Sequence, residues 1–144
     1  MYLHKEETLN RAEIEQLQLE RLQQTVKHCM NSTFYKKRFE ENGLTPDDIQ
    51  SLDDLQKIPF TTKQDLRDTY PFGIASVSLD KAVRLHSSSG TTGNPTVIIH
   101  TQKDLDEWAN AVARCLHMVG LRPGDVFQNS SGYGMFTGGL GFQY

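Results

Sequence analysis

Cysteine and tryptophan are nearly missing from this sequence: its 144 residues hold two cysteines and one tryptophan. Cys29 and Cys115 stand far apart, each in a stretch of helical character, and no Cys-x-x-Cys pair exists, so neither a disulfide framework nor a zinc site has support. Both are expected to be small core residues in a reducing compartment. No apolar run approaches the roughly 18 residues a membrane span needs, and Met1 to Asn10 is too polar for a signal peptide. Like charges form no block and the net charge is only −3, which argues against a nucleic-acid or membrane surface as the main partner. A cytoplasmic chain is the expectation. Apolar residues are also few, at 37%, so the core should be thin. Repeats and low-complexity tracts are lacking.

What the sequence does have is a run of hydroxyls and glycines, Ser87-Ser88-Ser89-Gly90-Thr91-Thr92-Gly93-Asn94-Pro95, set between two short stretches of strand character, Ala82 to His86 and Thr96 to His100. Small residues let the backbone approach an anion, glycines turn successive N–H groups inward, and hydroxyls add donors. A charge-assisted hydrogen bond is worth roughly 1.5–3 kcal/mol net, so three such donors hold a phosphate without a lysine. The loop is not a Walker loop: Pro95 stands where the glycine before the lysine would be, and β-branched Val97-Ile98-Ile99 predicts a strand where a helix would follow. The two strands read as a hairpin with an enlarged turn, for which a flexible surface turn is the plainer alternative. His86 and His100 flank it and read as satisfied strand residues without chemistry.

The rest of the chain supplies helices. Ile14, Leu17, Leu22, Val26, Cys29 and Met30 recur at helical spacing from about Asn10 to Met30. Ser32 is placed to cap a second helix carrying Phe34, Tyr35 and Phe39, with Asn42-Gly43 as its stop. Thr45-Pro46-Asp47-Asp48 is a further start signal. Ile58 to Thr61 should be extended before Pro59 and its neighbours release it, and Thr62 with Asp65 opens another helix. Thr101 with Asp104 opens the best-marked one, carrying Leu105, Trp108, Ala109, Val112, Leu116 and Val119 to Gly120; Trp108 reads as core. Val126-Phe127-Gln128 reads as a short buried strand, so strand, helix, strand points to an α/β sheet. Five glycines fall between Gly132 and Tyr144, interleaved with Tyr133, Met135, Phe136, Leu140 and Phe142. Such a block lets backbone run close beside a flat ligand while aromatic faces pack on it; a glycine-rich tail is the alternative.

Ser88 to Pro95 resembles the phosphate-loop signature of the adenylate-forming enzymes, with Thr96 where many of them have lysine. Together with Ile58 to Arg67 upstream and Gly132 to Gly141 downstream, the order of blocks is similar to that of phenylacetate-CoA ligases, over their N-terminal portion. The resemblance implies an α/β fold: a mainly helical segment over residues 1–79, then over 80–144 the start of the large domain, a mixed sheet with packed helices, holding the phosphate loop (86–96) and an aryl-pocket block (132–144). It implies that Ser87, Ser88, Ser89, Gly90, Thr91, Thr92 and Gly93 bind the ATP phosphates, and that Tyr133, Phe136, Gly138 and Gly139 line a pocket for a small aromatic acid. Gln143 stands where many relatives have histidine. ATP, Mg2+ and coenzyme A are the implied cosubstrates, and aromatic acid catabolism the implied setting. No catalytic or metal-binding residue is assignable, because the family's adenine, ribose and catalytic-lysine elements are expected beyond Tyr144. The implied partner is the remaining C-terminal part of the enzyme, or a second copy. A stand-alone nucleotide-binding module and a non-catalytic interaction fragment using Ile14 to Met30 remain the competing readings.

Overall fold

The computed structural model of the chain describes residues 3–88, 94–135 and 137–143. The first helix, α1 (Arg11–Cys29), starts where its capping signal lies. Asn10 Oδ1 accepts from the Glu13 N–H at 3.0 Å and the Glu13 carboxylate accepts from the Asn10 N–H at 2.9 Å, which satisfies two donors that a helix start leaves open. Helix α2 (Thr33–Glu41) follows directly. Ser32 occupies its N-cap position, yet the hydroxyl makes no capping bond; it is buried without a hydrogen-bond partner. Gly43, at φ +63°, turns the chain out of α2, a conformation that costs a side-chain-bearing residue.

The Thr45 start signal yields one 3-10 turn, Pro46–Asp48, closed by the Thr45 N–H and hydroxyl donating to Asp48 Oδ2, both at 2.7 Å. A second 3-10 stretch, Leu52–Lys57, carries the chain past α1. These turns deliver Ile49, fully buried, into a core with Val26 and Phe39, ringed by Leu22, Met30, Leu44 and Ile58. Gln23 Nε2 donates to the Ile49 carbonyl at 2.9 Å, pairing a polar group that burial would otherwise penalise. Of the stretch Ile58 to Thr61 read as extended, Ile58 has extended backbone and residues 59–61 form no helix, and Thr62 with Asp65 caps α3 (Lys63–Asp68). Arg38 locks α2 to α3: it donates to Asp65 Oδ1 at 2.8 Å and to the Phe60 carbonyl at 2.6 Å, with its guanidinium 4.6 Å from the Phe34 ring centroid.

Beyond residue 79 the hairpin forms as read. Strands β1 (Arg84–Ser87) and β2 (Val97–His100) pair antiparallel, with Arg84 opposite His100 and His86 opposite Ile98. Among the described residues the sheet is this pair alone, so the mixed sheet is represented by an antiparallel edge. Helix α4 (Gln102–Met118) starts at Thr101 and Asp104 and ends at Gly120, φ +103°; only Leu105 of it is buried. Glu7 accepts from Arg114 Nε at 2.7 Å, fastening α4 to the start of the chain. A short helix, α5 (Thr137–Leu140), lies in the glycine-rich block.

Two readings are corrected here. Val126 to Gln128 is neither strand nor buried: Val126 is 96% and Phe127 49% exposed, since no third strand among the described residues offers them a ladder. Cys115 is exposed and Cys29 half-buried, because α4 turns Cys115 away from its one buried contact. The chain is thus α/β with a helical first part and a small sheet. Among the described residues no helix is long and apolar enough to cross a membrane.

Candidate functional site

The hairpin positions the candidate phosphate loop. The Ser88 N–H donates to the Thr96 carbonyl at 3.0 Å and the Thr96 N–H donates to Ser88 Oγ at 3.0 Å, so the base of the loop is closed by two bonds between the same two residues. Ser88 Oγ accepts there, which leaves its own proton free to donate. Ser89, Gly90, Thr91, Thr92 and Gly93 lie outside the described residues, as does Phe136. Ser87 and Ser88 are therefore the part of the phosphate set that has a described position, at the end of β1.

The glycine-rich block comes to the same place. The Ser87 N–H donates to the Met135 carbonyl at 2.9 Å, which lays the block along the strand that enters the loop. Asn129 then pins the block on itself: its Nδ2 donates to the Gly139 carbonyl at 2.9 Å and its Oδ1 accepts from the Ser131 N–H at 3.0 Å. Gly139 is buried, and a Cβ there would sit 2.6 Å from the Gly132 carbonyl oxygen and 3.2 Å from Tyr133 Cγ. Only glycine lets these backbones approach so closely. Tyr133 is 61% exposed and Gly138 lies in α5, so of the pocket candidates Tyr133 and Gly139 meet each other while Tyr133 leaves its ring largely open. The cavity that touches the hairpin, ≈210 Å3, is lined by Pro71, Phe72, Ile74, Val97, Ile98 and Ile99 among others, and by none of these candidates.

On one face of the hairpin three rings meet. His86 and His100 lie 5.2 Å apart edge to face, and Trp108 of α4 is 5.4 Å from each. His86 is 4% exposed and neither ring nitrogen has a hydrogen-bond partner, which corrects its reading as a satisfied strand residue. Burial and the neighbouring His86 hold the His100 pKa below its ordinary value; Asp104 opposes this and Arg84 adds to it. Trp108 is half-buried, so it is a bridge between elements and not a core residue. Its indole Cζ2 lies 3.1 Å from where a Gly141 Cβ would stand. Sequence reading missed this cluster, and Asn129 with it; the strand alternation that puts Arg84, His86, Ile98 and His100 on one face was the available signal. Among the described residues no three His, Cys, Asp or Glu side chains are grouped to hold a metal.

No family model matches the chain. Its fold is similar to that of a 2-hydroxyisobutyryl-CoA ligase solved with 2-HIB-AMP and CoA, with a TM-score of 0.86 and 33% identity over 93% of this chain and 30% of that one. Its structural neighbours are adenylate-forming CoA ligases, and it shares the fold of part of them. Its curated relatives are phenylacetate-coenzyme A ligases: it is 50% identical to that of Escherichia coli K12 and 52% to that of Pseudomonas putida, each over 139 residues, 96% of this chain and 32% of the relative. It is 47% identical to the Thermus thermophilus enzyme over 142 residues. Over nearly its whole length the chain is similar to the phenylacetate-CoA ligases, and it spans about a third of the length of the relatives it matches.

Proposed function

We propose that this chain is the phosphate-loop part of an ATP-dependent ligase that joins a phenylacetate-type aromatic acid to coenzyme A. The observation that carries the reading is the Ser87 N–H bond to the Met135 carbonyl, which sets the strand entering the loop beside the glycine-rich block. A triphosphate held by Ser87 to Gly93 and an acid held by Tyr133, Phe136, Gly138 and Gly139 then lie next to each other. An oxygen of the acid's carboxylate attacks the α-phosphorus of ATP and pyrophosphate leaves; the coenzyme A sulfur next attacks the acyl carbon and AMP leaves. The loop's hydroxyls and N–H groups supply donors to the oxygens on which charge collects as pyrophosphate departs. Ser88 suits that task, since its oxygen already accepts from the Thr96 N–H and its hydroxyl proton is left to donate. Magnesium enters as the complex with ATP and offsets triphosphate charge.

On this reading residues 1–79 are scaffold, residues 80–144 begin the larger domain, the remaining chain of the enzyme supplies the adenine, ribose and thioester-forming elements, and the enzyme works in the cytoplasm in aromatic acid breakdown. The test is pyrophosphate release by the full-length enzyme against a panel of carboxylates. Phenylacetate or a near analogue is expected to stimulate release; use of fatty acids with no response to aryl acids would remove the pocket assignment from Tyr133 to Gly139.

A further inference from the structure

We propose that Trp108 is a positioning residue for the adenylation step, setting how the hairpin that carries the phosphate loop sits against the glycine-rich block; this rests on the function proposed above. Three contacts carry it. Trp108 packs at 5.4 Å against His86, two residues before the Ser88 bond that closes the loop, and at 5.4 Å against His100, which pairs with Arg84 on the partner strand. The far edge of the same indole lies against Gly141, where an added Cβ would be 3.1 Å from Cζ2. One rigid ring system therefore touches the hairpin on one side and the end of the block on the other, while α4, fastened at Thr101 next to β2, holds the ring from behind.

Among the described residues the second tether between the same two parts is the Ser87 to Met135 backbone bond. One hydrogen bond fixes a separation at one point and leaves rotation about it; the indole wedge removes that rotation. The His86 ring, buried with both nitrogens unpaired, is held by packing on Trp108 and His100, so its position follows theirs. A bicyclic ring in that place is not exchangeable for an aliphatic chain, because close-packed interiors transmit even small changes of shape.

The kinetic signature follows from what positioning does. If the loop and the block each keep their own ligand but shift relative to one another, binding of ATP and of the acid is retained and the in-line approach of carboxylate to α-phosphorus is lost. The loss then appears in kcat and not in KM. In the full-length enzyme, with rates normalised to the folded fraction by circular dichroism, Trp108→Leu is expected to lower kcat for phenylacetate-dependent pyrophosphate release by about tenfold or more, with both KM values within about threefold. Trp108→Phe keeps a ring against both imidazoles and loses only the edge beside Gly141; it serves as the readout if the leucine variant fails to fold, and is expected to lose about threefold to tenfold in kcat. An unchanged normalised kcat in Trp108→Phe, or a loss confined to KM in either variant, overturns the positioning role. Failure of the parent enzyme to release pyrophosphate in response to any aryl acid overturns the functional reading instead, and the two failures are told apart by that control.

Discussion

The two parts of the chain bury their apolar side chains very differently. Up to residue 79, Val26, Phe39 and Ile49 form a closed core, and Arg38 fastens two helices across it. After it, Leu105 is the one buried apolar side chain among the described residues, and nine large apolar residues are exposed, Met118, Val119 and Val126 the most, against five up to residue 79, where Phe60 is 90% exposed. The first part is held by side chains meeting in one place. The second is held mainly by backbone, through the hairpin ladder, the Ser88–Thr96 pair, the Ser87 bond to Met135 and glycines at which chains touch, with the rings of His86, His100 and Trp108 as its side-chain junction. Such an arrangement suits a binding surface, where donors must face a ligand and backbone must approach it, and it leaves stability to the other half.

That contrast is broken or sharpened by substitution on each side. Phe39→Ala should cost about 3–5 kcal/mol, the range for emptying a buried aromatic site, whereas Val126→Ala, at a side chain 96% exposed, should stay within about 0.5 kcal/mol. Urea unfolding followed by circular dichroism gives both values, and comparable losses would show that the halves do not differ. Arg38→Ala removes the clamp between α2 and α3 and should cost about 1–2 kcal/mol, since the pair is only partly buried and part of its Coulomb energy is screened. The same unfolding series reads it.

A smaller effect is expected from pH. His100 has its pKa lowered by burial, with His86 and Arg84 acting in the same direction against Asp104. An unfolded histidine titrates near about 6.5, so below that pH the unfolded chain takes up a proton that the folded chain resists. The contribution of His100 is present in full above about pH 6.5 and is lost as pH falls toward the lowered folded value. Melting temperatures at pH 7.5 and 5.5 should therefore fall on acidification, and His100→Gln should reduce the fall. The smallest effect is Ser32→Ala. A working N-cap serine is worth about 1 kcal/mol, but this hydroxyl is buried and unpaired, so its loss should be neutral within about 0.5 kcal/mol or stabilising. A loss near 1 kcal/mol would restore it as a cap.

Local chemistry was legible in the sequence wherever the signal and its partner lay within a few residues. Thr62 with Asp65 and Thr101 with Asp104 each marked a helix start that the structure has, and the first helix was legible from the spacing of its apolar residues. The hairpin was legible because β-branched residues flank a glycine-rich turn. Signals needing a distant partner were not: Val126 to Gln128 has strand composition but no neighbour to pair with, and Ser32 has the composition of a cap whose geometry sends the hydroxyl elsewhere. For the site, the order of blocks was readable, but the joining of Ser87 to Met135 and the ring cluster of His86, His100 and Trp108 depends on which strand face meets α4. Strand alternation puts His86 and His100 on one face, but nothing local tells which element covers that face.

The central claim is that the loop from Ser87 to Gly93 holds the ATP phosphates, and the most direct measurement is ATP-dependent pyrophosphate release by full-length Gly93→Val and Ser87→Ala enzymes. Valine adds a branched side chain where backbone must approach the phosphate, so a loss of about 100-fold or more is expected. Ser87→Ala removes one donor worth roughly 1–3 kcal/mol at most and should be much milder. Equal and small losses in the two variants would contradict the claim and leave the loop a surface turn.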